Sequence, residues 1–326
     1  MDINVCVRYL ESLDLTVRVE AVPLLGHWIP NFRKQIITLA EGVFPSPHSE
    51  LFLGTTLGID QLKTVPTFND MLRHTGTIHV VVVSGFNISL VYTFVFKLLG
   101  GRYKVLNIIS GFVLTLLYAL IAGFEPPIFR AWVMGSLAAL SMYFGYASYA
   151  LILLLLSSFV MVFLHPAYLV NLSFQLSFMA TLGLILYGNS LSILLLPLKH
   201  FLPEFILEDL SASISAQITV WPLISYKIGT ITLLSPLVNA LILWVIPFIT
   251  IVGIIGIIGS FLSPPVFYLM SYIVLPFLDY FVEMVVYFSK FNLGNFDYVL
   301  SAPLLVMYYI VIFSSTCVFK AYRERL

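Results

Sequence analysis

Charge and cysteine are both scarce in this 326-residue chain. Only 10% of its residues are Asp, Glu, Lys or Arg, against about 25% in a typical soluble domain. A soluble enzyme of this size could not hide the 60% that are hydrophobic. A mean hydropathy of +1.00 points to lipid as the solvent and excludes a disordered or fibrous chain. The two cysteines, Cys6 and Cys317, lie near opposite ends of the chain and form neither a disulfide framework nor a metal-ligand spacing. The six histidines include no His-Glu-x-x-His pair and no tight His/Asp cluster, so no catalytic metal and no cofactor is expected. Acidic and basic residues balance at 16 each, so the total charge names no nucleic-acid partner. The opening, Met1-Asp2-Ile3-Asn4-Val5-Cys6, lacks the basic cap and apolar stretch of a signal peptide. No repeat of fixed period is visible, and no low-complexity tract.

What is present is a series of apolar runs of about 17–26 residues, broken by short polar or Pro/Gly joints, the lengths that cross a bilayer. The pattern predicts an all-α polytopic integral membrane protein of about nine transmembrane helices, with a short N-terminal extramembrane α/β segment. The spans fall at 78–98, 104–123, 127–145, 148–164, 167–187, 210–226, 234–259, 264–289 and 300–319. Leu191–Phe205, with two prolines, Lys199 and His200, is expected to be interfacial or re-entrant. Leu13–Glu20 alternates as a half-buried strand should, and Asn4–Leu10 is a second candidate strand. Two strands alone make no stable sheet in water. After Pro30 the pattern turns helical, and Ser46-Pro47 predicts a helix start with Ser as cap and Pro at the first position. The composition shifts at His74-Thr75-Gly76, which divides the chain into an extramembrane segment, 1–73, and a membrane domain, 74–326. Lys97, Arg102, Lys104, Lys199, Lys320, Arg323 and Arg325 all fall on one side of a nine-span chain. That side should be the cytoplasm, with the N-terminus outside and the C-terminus inside, in the cell's inner membrane.

Several polar residues interrupt the apolar runs. In the first span, His79, Ser84 and Asn87 would share about 140° of arc on a continuous helix. Ser84-Gly85 is a place where such a helix kinks or unwinds beside a cavity. These residues either line a pathway or bond neighbouring helices, with Ser-Gly allowing close packing. In Gly123-Phe124-Glu125-Pro126-Pro127-Ile128-Phe129-Arg130, the prolines restart a helix and put Arg130 at its positive end, the unfavourable sign for a cation. Arg130 either snorkels to the headgroups or meets an anion, Glu125 at rest and a phosphate in transit. Asn171 and Gln175 are four apart in the fifth span; they point into a channel or bond an adjacent helix. Gln217 and Ser235-Pro236-Leu237-Val238-Asn239 behave similarly, and Asp279 with Glu283 forms an acidic pair inside the eighth span.

Taken in order, these motifs resemble the membrane domain of the ComEC competence family, the inner-membrane channel for DNA uptake. The resemblance rests on Leu53-Gly54, on Arg73-His74-Thr75-Gly76-Thr77-Ile78-His79, and on Val83-Ser84-Gly85-Phe86-Asn87. Arg130-Ala131, Asn171-Leu172-Ser173-Phe174-Gln175 and Ser235-Pro236-Leu237-Val238-Asn239 extend it over roughly residues 35–315. Two departures stand out: Asn87 replaces the second His of the family's Ser-Gly-x-His, and the Asn171 position is more often acidic. The resemblance implies a channel for single-stranded DNA, with His79, Ser84, Gly85, Asn87, Arg130, Asn171, Gln175 and Asn239 along the path. It also implies that residues 1–25 are the tail of an oligonucleotide-binding β-domain. The chain ends at Leu326 without a His-x-His-x-Asp-His motif, so the nuclease is expected to be separate. Other competence proteins are expected partners, and a homodimer is a further expectation.

The residues themselves leave other readings open. One Arg in a neutral membrane chain also fits a small-solute permease, and a non-transporting scaffold fits the composition as well. An intramembrane hydrolase using Ser84 with His79 fits poorly, because five residues on one helix separate side chains by about 140°.

Overall fold

The structure, a computed structural model, describes residues 28–81, 85–99, 104–291 and 295–323. The strands expected within residues 4–20, and Ser84, lie outside them. The helices are α1 (Trp28–Glu41), α2 (His48–Leu57), α3 (Pro66–Thr75), α4 (Ile78–Val81), α5 (Gly85–Leu99), α6 (Lys104–Ala122) and α7 (Pro126–Tyr143). They continue as α8 (Ala150–Leu164), α9 (Leu172–Leu195), α10 (Glu204–Lys227), α11 (Ser235–Ile242), α12 (Ile246–Leu262), α13 (Pro264–Ser289) and α14 (Ala302–Arg323). The described strands are β1 (Thr230–Thr232) and β2 (Asn295–Asp297), paired antiparallel with Thr230 opposite Asp297.

Among the described residues, five stretches are long and apolar enough to cross a membrane: Ile78–Lys97, Val105–Ala122, Leu172–His200, Ser235–Leu262 and Pro264–Ser289. Ala150–Leu164 and Ala302–Ser314 are apolar but shorter. Helices α7 and α10, expected as spans, fall short in hydropathy: α7 carries Arg130, and α10 carries Ser211, Ser213, Ser215, Gln217 and Thr219. Leu191–Leu195 is the last turn of α9 rather than a separate interfacial piece, because no helix breaker precedes Pro197. Helix α2 begins at His48. Ser46, expected as its cap, instead donates its hydroxyl to the Glu50 carboxylate at 2.9 Å.

The chain forms two compact units. In the first, Met1–Gln175 with Ile242–Lys290, the compositional boundary at His74 falls inside the unit. Eight of the ten residues of α2 are buried, polar and apolar alike, so it is an interior helix. It packs on α12 where Gly253 sits under Phe52 and Thr56; a Cβ there would lie 2.8 Å from the Phe52 ring. Gly54 of α2 meets the Val81 carbonyl as closely, at 2.7 Å from a modest added Cβ. Ile88, Tyr118, Ala119, Ala122 and Ile128 join α5, α6 and α7 in one apolar core.

In the second unit, Leu176–Leu241 with Phe291–Leu326, α9 and α10 touch backbone to backbone, the Gly183 Cα against the Ser215 carbonyl. Pro222 lies inside α10 and cannot donate to the Ile218 carbonyl four residues back. Tyr308 of α14 supplies the missing donor, its hydroxyl 2.9 Å from that oxygen, and Tyr309 does the same for Thr219 at 2.8 Å. A proline inside the helix is tolerable on these terms.

Candidate functional site

The C-terminal end of α2 leaves main-chain oxygens without helical partners. Gly58, left-handed at φ 72°, lets its own N–H reach Gly54 and the Ile59 N–H reach Leu53. The Thr55 oxygen is left over. Asn87 of α5 donates to it through Nδ2 at 3.0 Å, and the Thr250 hydroxyl of α12 donates at 3.2 Å. The same Asn87 nitrogen also reaches the Tyr118 hydroxyl of α6 at 3.1 Å. Asn87 is only 2% exposed, so this node ties four helices together in the interior. Among the described residues, its side-chain oxygen has no hydrogen-bond partner.

Gly85, two residues before Asn87, starts α5 and faces α7. A Cβ there would be 2.9 Å from the Ala131 Cβ and 3.6 Å from an Arg130 guanidinium nitrogen. Arg130 is 9% exposed and is the fifth residue of α7, one position past the first turn. The dipole penalty expected for it is therefore reduced, since that effect fades within a turn. Gly85 and Arg130 are thus neighbours, while Asn87, about 200° round α5, faces Thr55 and Tyr118 instead. His79 is exposed on α4, whereas Asn87 is buried.

Glu125, the anion expected beside Arg130, feels a different cation. Arg33 of α1 donates from Nε to the Ile121 carbonyl at 2.7 Å and also bonds it through Nη2. A cation at the C-terminus of α6 has the favourable sign. Burial lowers the Arg33 pKa from its ordinary value, with the charge of Glu125 acting the other way. Burial raises the Glu125 pKa, Asp60 adds to the rise, and Arg33 opposes it. Sequence reasoning missed this group. Its signal was the Gly123 stop, which promises orphaned carbonyls nearby, but nothing in the sequence said that Arg33 would reach them.

The remaining candidates serve helix junctions. Asn171 caps α9, its Oδ1 accepting from the Phe174 N–H at 3.0 Å. Gln175 donates from Nε2 to the Leu169 carbonyl at 2.6 Å, which holds the chain entering that helix. In the second unit, the Ser235 hydroxyl accepts from Gln217 at 2.7 Å and from Asn239 at 3.3 Å, so the two amides meet at one oxygen. Asp279 lies 2.9 Å from the His48 imidazole, while Glu283 is exposed. Among the described residues, no group of three or more His, Cys, Asp or Glu side chains is placed to hold a metal ion.

A family model described as Competence protein matches residues 56–322. The chain belongs to the Competence protein family. The match starts in the last turns of α2 and takes in every candidate residue from His79 to Asn239; Arg33 and His48 lie ahead of it. This competence protein is also 32% identical, over 200 residues, to an uncharacterized protein of Aquifex aeolicus (strain VF5). That similarity covers 61% of the chain and 45% of the relative, so the chain spans about half the length of that relative. No solved structure matches the chain.

Proposed function

We propose that this competence protein is the membrane conduit through which single-stranded DNA crosses the cytoplasmic membrane. One observation carries the reading: the matched region holds a nearly buried cation, Arg130, set against the glycine that opens α5. A polyanion needs contacts that are weak enough to release it and repeated along its length. A single guanidinium flanked by neutral hydrogen-bonding groups meets that need better than a basic track, which would hold the strand. His79, Gly85, Asn87 and Arg130 supply the path in the first unit, and Asn171 and Gln175 hold the start of α9.

The test is uptake of labelled DNA by cells carrying point variants at matched membrane levels. Arg130→Ala abolishes uptake while the protein still inserts. Arg130→Lys retains partial uptake if charge alone matters and little if the planar guanidinium is required. Arg102→Ala, a change outside the spans, is mild. Unchanged DNA uptake in Arg130→Ala would leave the permease and scaffold readings standing and remove this one.

A further inference from the structure

Two consecutive residues of α1 hold the ends of different membrane helices. The Phe32 ring stacks on Phe261 with centroids 6.0 Å apart, and Trp28 stacks on Phe32 at 5.3 Å. Arg33, the next residue, holds the Ile121 carbonyl through Nε at 2.7 Å. Phe261 is the penultimate residue of the Ser235–Leu262 span, and the following span starts at Pro264. The turn between them is therefore at a membrane face. Ile121 is likewise the penultimate residue of the Val105–Ala122 span. Hydrocarbon is about 30 Å thick, while neighbouring Cα atoms are about 3.8 Å apart. Phe32 and Arg33 cannot serve opposite faces.

Helix α1 is not itself a span. Its 14 residues would cover only about 21 Å. Asn31, Lys34, Gln35, Thr38 and Glu41 are exposed along one side, while Ile29, Ile36 and Ala40 are buried on the other. At its start Trp28 is 51% exposed, and Leu262, in the adjoining turn, is 88% exposed. Amphipathic aromatic side chains at a helix end are the residues that settle at headgroup depth.

We infer that α1 is a membrane-surface helix, lying in the lipid headgroup layer on the face shared by the 262–264 turn and the C-terminal end of α6. The inference goes beyond DNA transport and constrains the topology. The chain between Ala122 and Phe261 must cross the bilayer an even number of times. The nine-span reading has five crossings there, at 127–145, 148–164, 167–187, 210–226 and 234–259. An odd number of those five does not cross completely.

Single cysteines at Lys34 and Ser263 test this in the full chain, with Cys6 and Cys317 replaced by Ser. A membrane-impermeant maleimide is applied to intact cells and to inverted vesicles. Lys34→Cys and Ser263→Cys label in the same preparation; labelling in opposite preparations overturns the shared face. A nitroxide on Trp28→Cys relaxes more with oxygen than with a water-soluble nickel chelate, and one on Lys34→Cys shows the reverse. Leu262→Cys gives the lipid-side reading at the turn should Trp28→Cys fail to insert. Water-like relaxation at both Trp28 and Leu262 overturns the headgroup placement. None of these readouts depends on DNA passing through the protein.

Discussion

The Asn87 amide donates to the Thr55 main-chain oxygen at 3.0 Å, so a residue of the proposed path also closes the end of an interior helix. Removing it leaves the Thr55 oxygen with the Thr250 hydroxyl as its side-chain donor and takes a partner from the Tyr118 hydroxyl, at a cost of about 0.5–1.5 kcal/mol for each lost bond. Asn87→Ala therefore melts well below the parent in lipid nanodiscs, and Thr250→Val, which leaves the stronger donor in place, melts only slightly below. Asn87→Asp is worse than Asn87→Ala, because a carboxylate would face the negative end of α2. Unchanged melting in Asn87→Ala would show that the node contributes nothing to the fold.

Gly85→Ala should press α5 away from α7, since its Cβ would stand 2.9 Å from the Ala131 Cβ. Overpacking of this kind costs about 1–3 kcal/mol, and the displaced surface is the one that carries Arg130. Reduced uptake together with a lowered melting temperature is the expected pair. Gly188→Ala is the control: nothing lies within 4 Å of its added Cβ, and alanine favours the helix by about 1 kcal/mol.

The sequence motifs led to the family, because apolar runs and their polar interruptions are local signals. The burial of α2 was not legible in the same way. Its ten residues mix Ser, Glu and Thr with Leu and Phe, and only the tertiary partners Gly253 and Thr250 make that mixture an interior helix. Asn171 and Gln175 share a helical spacing that suits a channel stripe as well as a cap. The deciding fact is where the helix starts, and Leu172 as first residue is a detail that sequence places only to within a few residues. Arg33 escaped for the opposite reason: its partner oxygen lies 88 residues away.

The Glu125 carboxyl is raised mainly by burial, with Asp60 adding and Arg33 opposing. Between the ordinary carboxylate pKa and the raised one, the folded protein holds more proton than the unfolded chain. Stability therefore falls as pH rises through that window. Glu125→Gln should flatten the dependence of melting temperature on pH, and Arg33→Ala should steepen it by removing the opposing charge. A parallel shift of all three curves would contradict the assignment.

Tyr308 stands in for the N–H that Pro222 lacks. Tyr308→Phe alone should cost about 0.5–1.5 kcal/mol. In a Pro222→Ala background the backbone can bond Ile218 itself, so the same tyrosine change should cost less. Melting of the four proteins forms a double-mutant cycle, and zero coupling energy would separate the tyrosine from the proline.

The contact between Thr250 and the Thr55 oxygen spans 195 residues of sequence. At ribosomal rates of about 5–20 residues per second, α2 is made roughly 10–40 s before the helix that covers it exists. During that interval a segment with eight burial-destined residues has Val81 and Asn87 to pack against but not α12. The first unit can thus close around residues 48–57 only after α12 has been made.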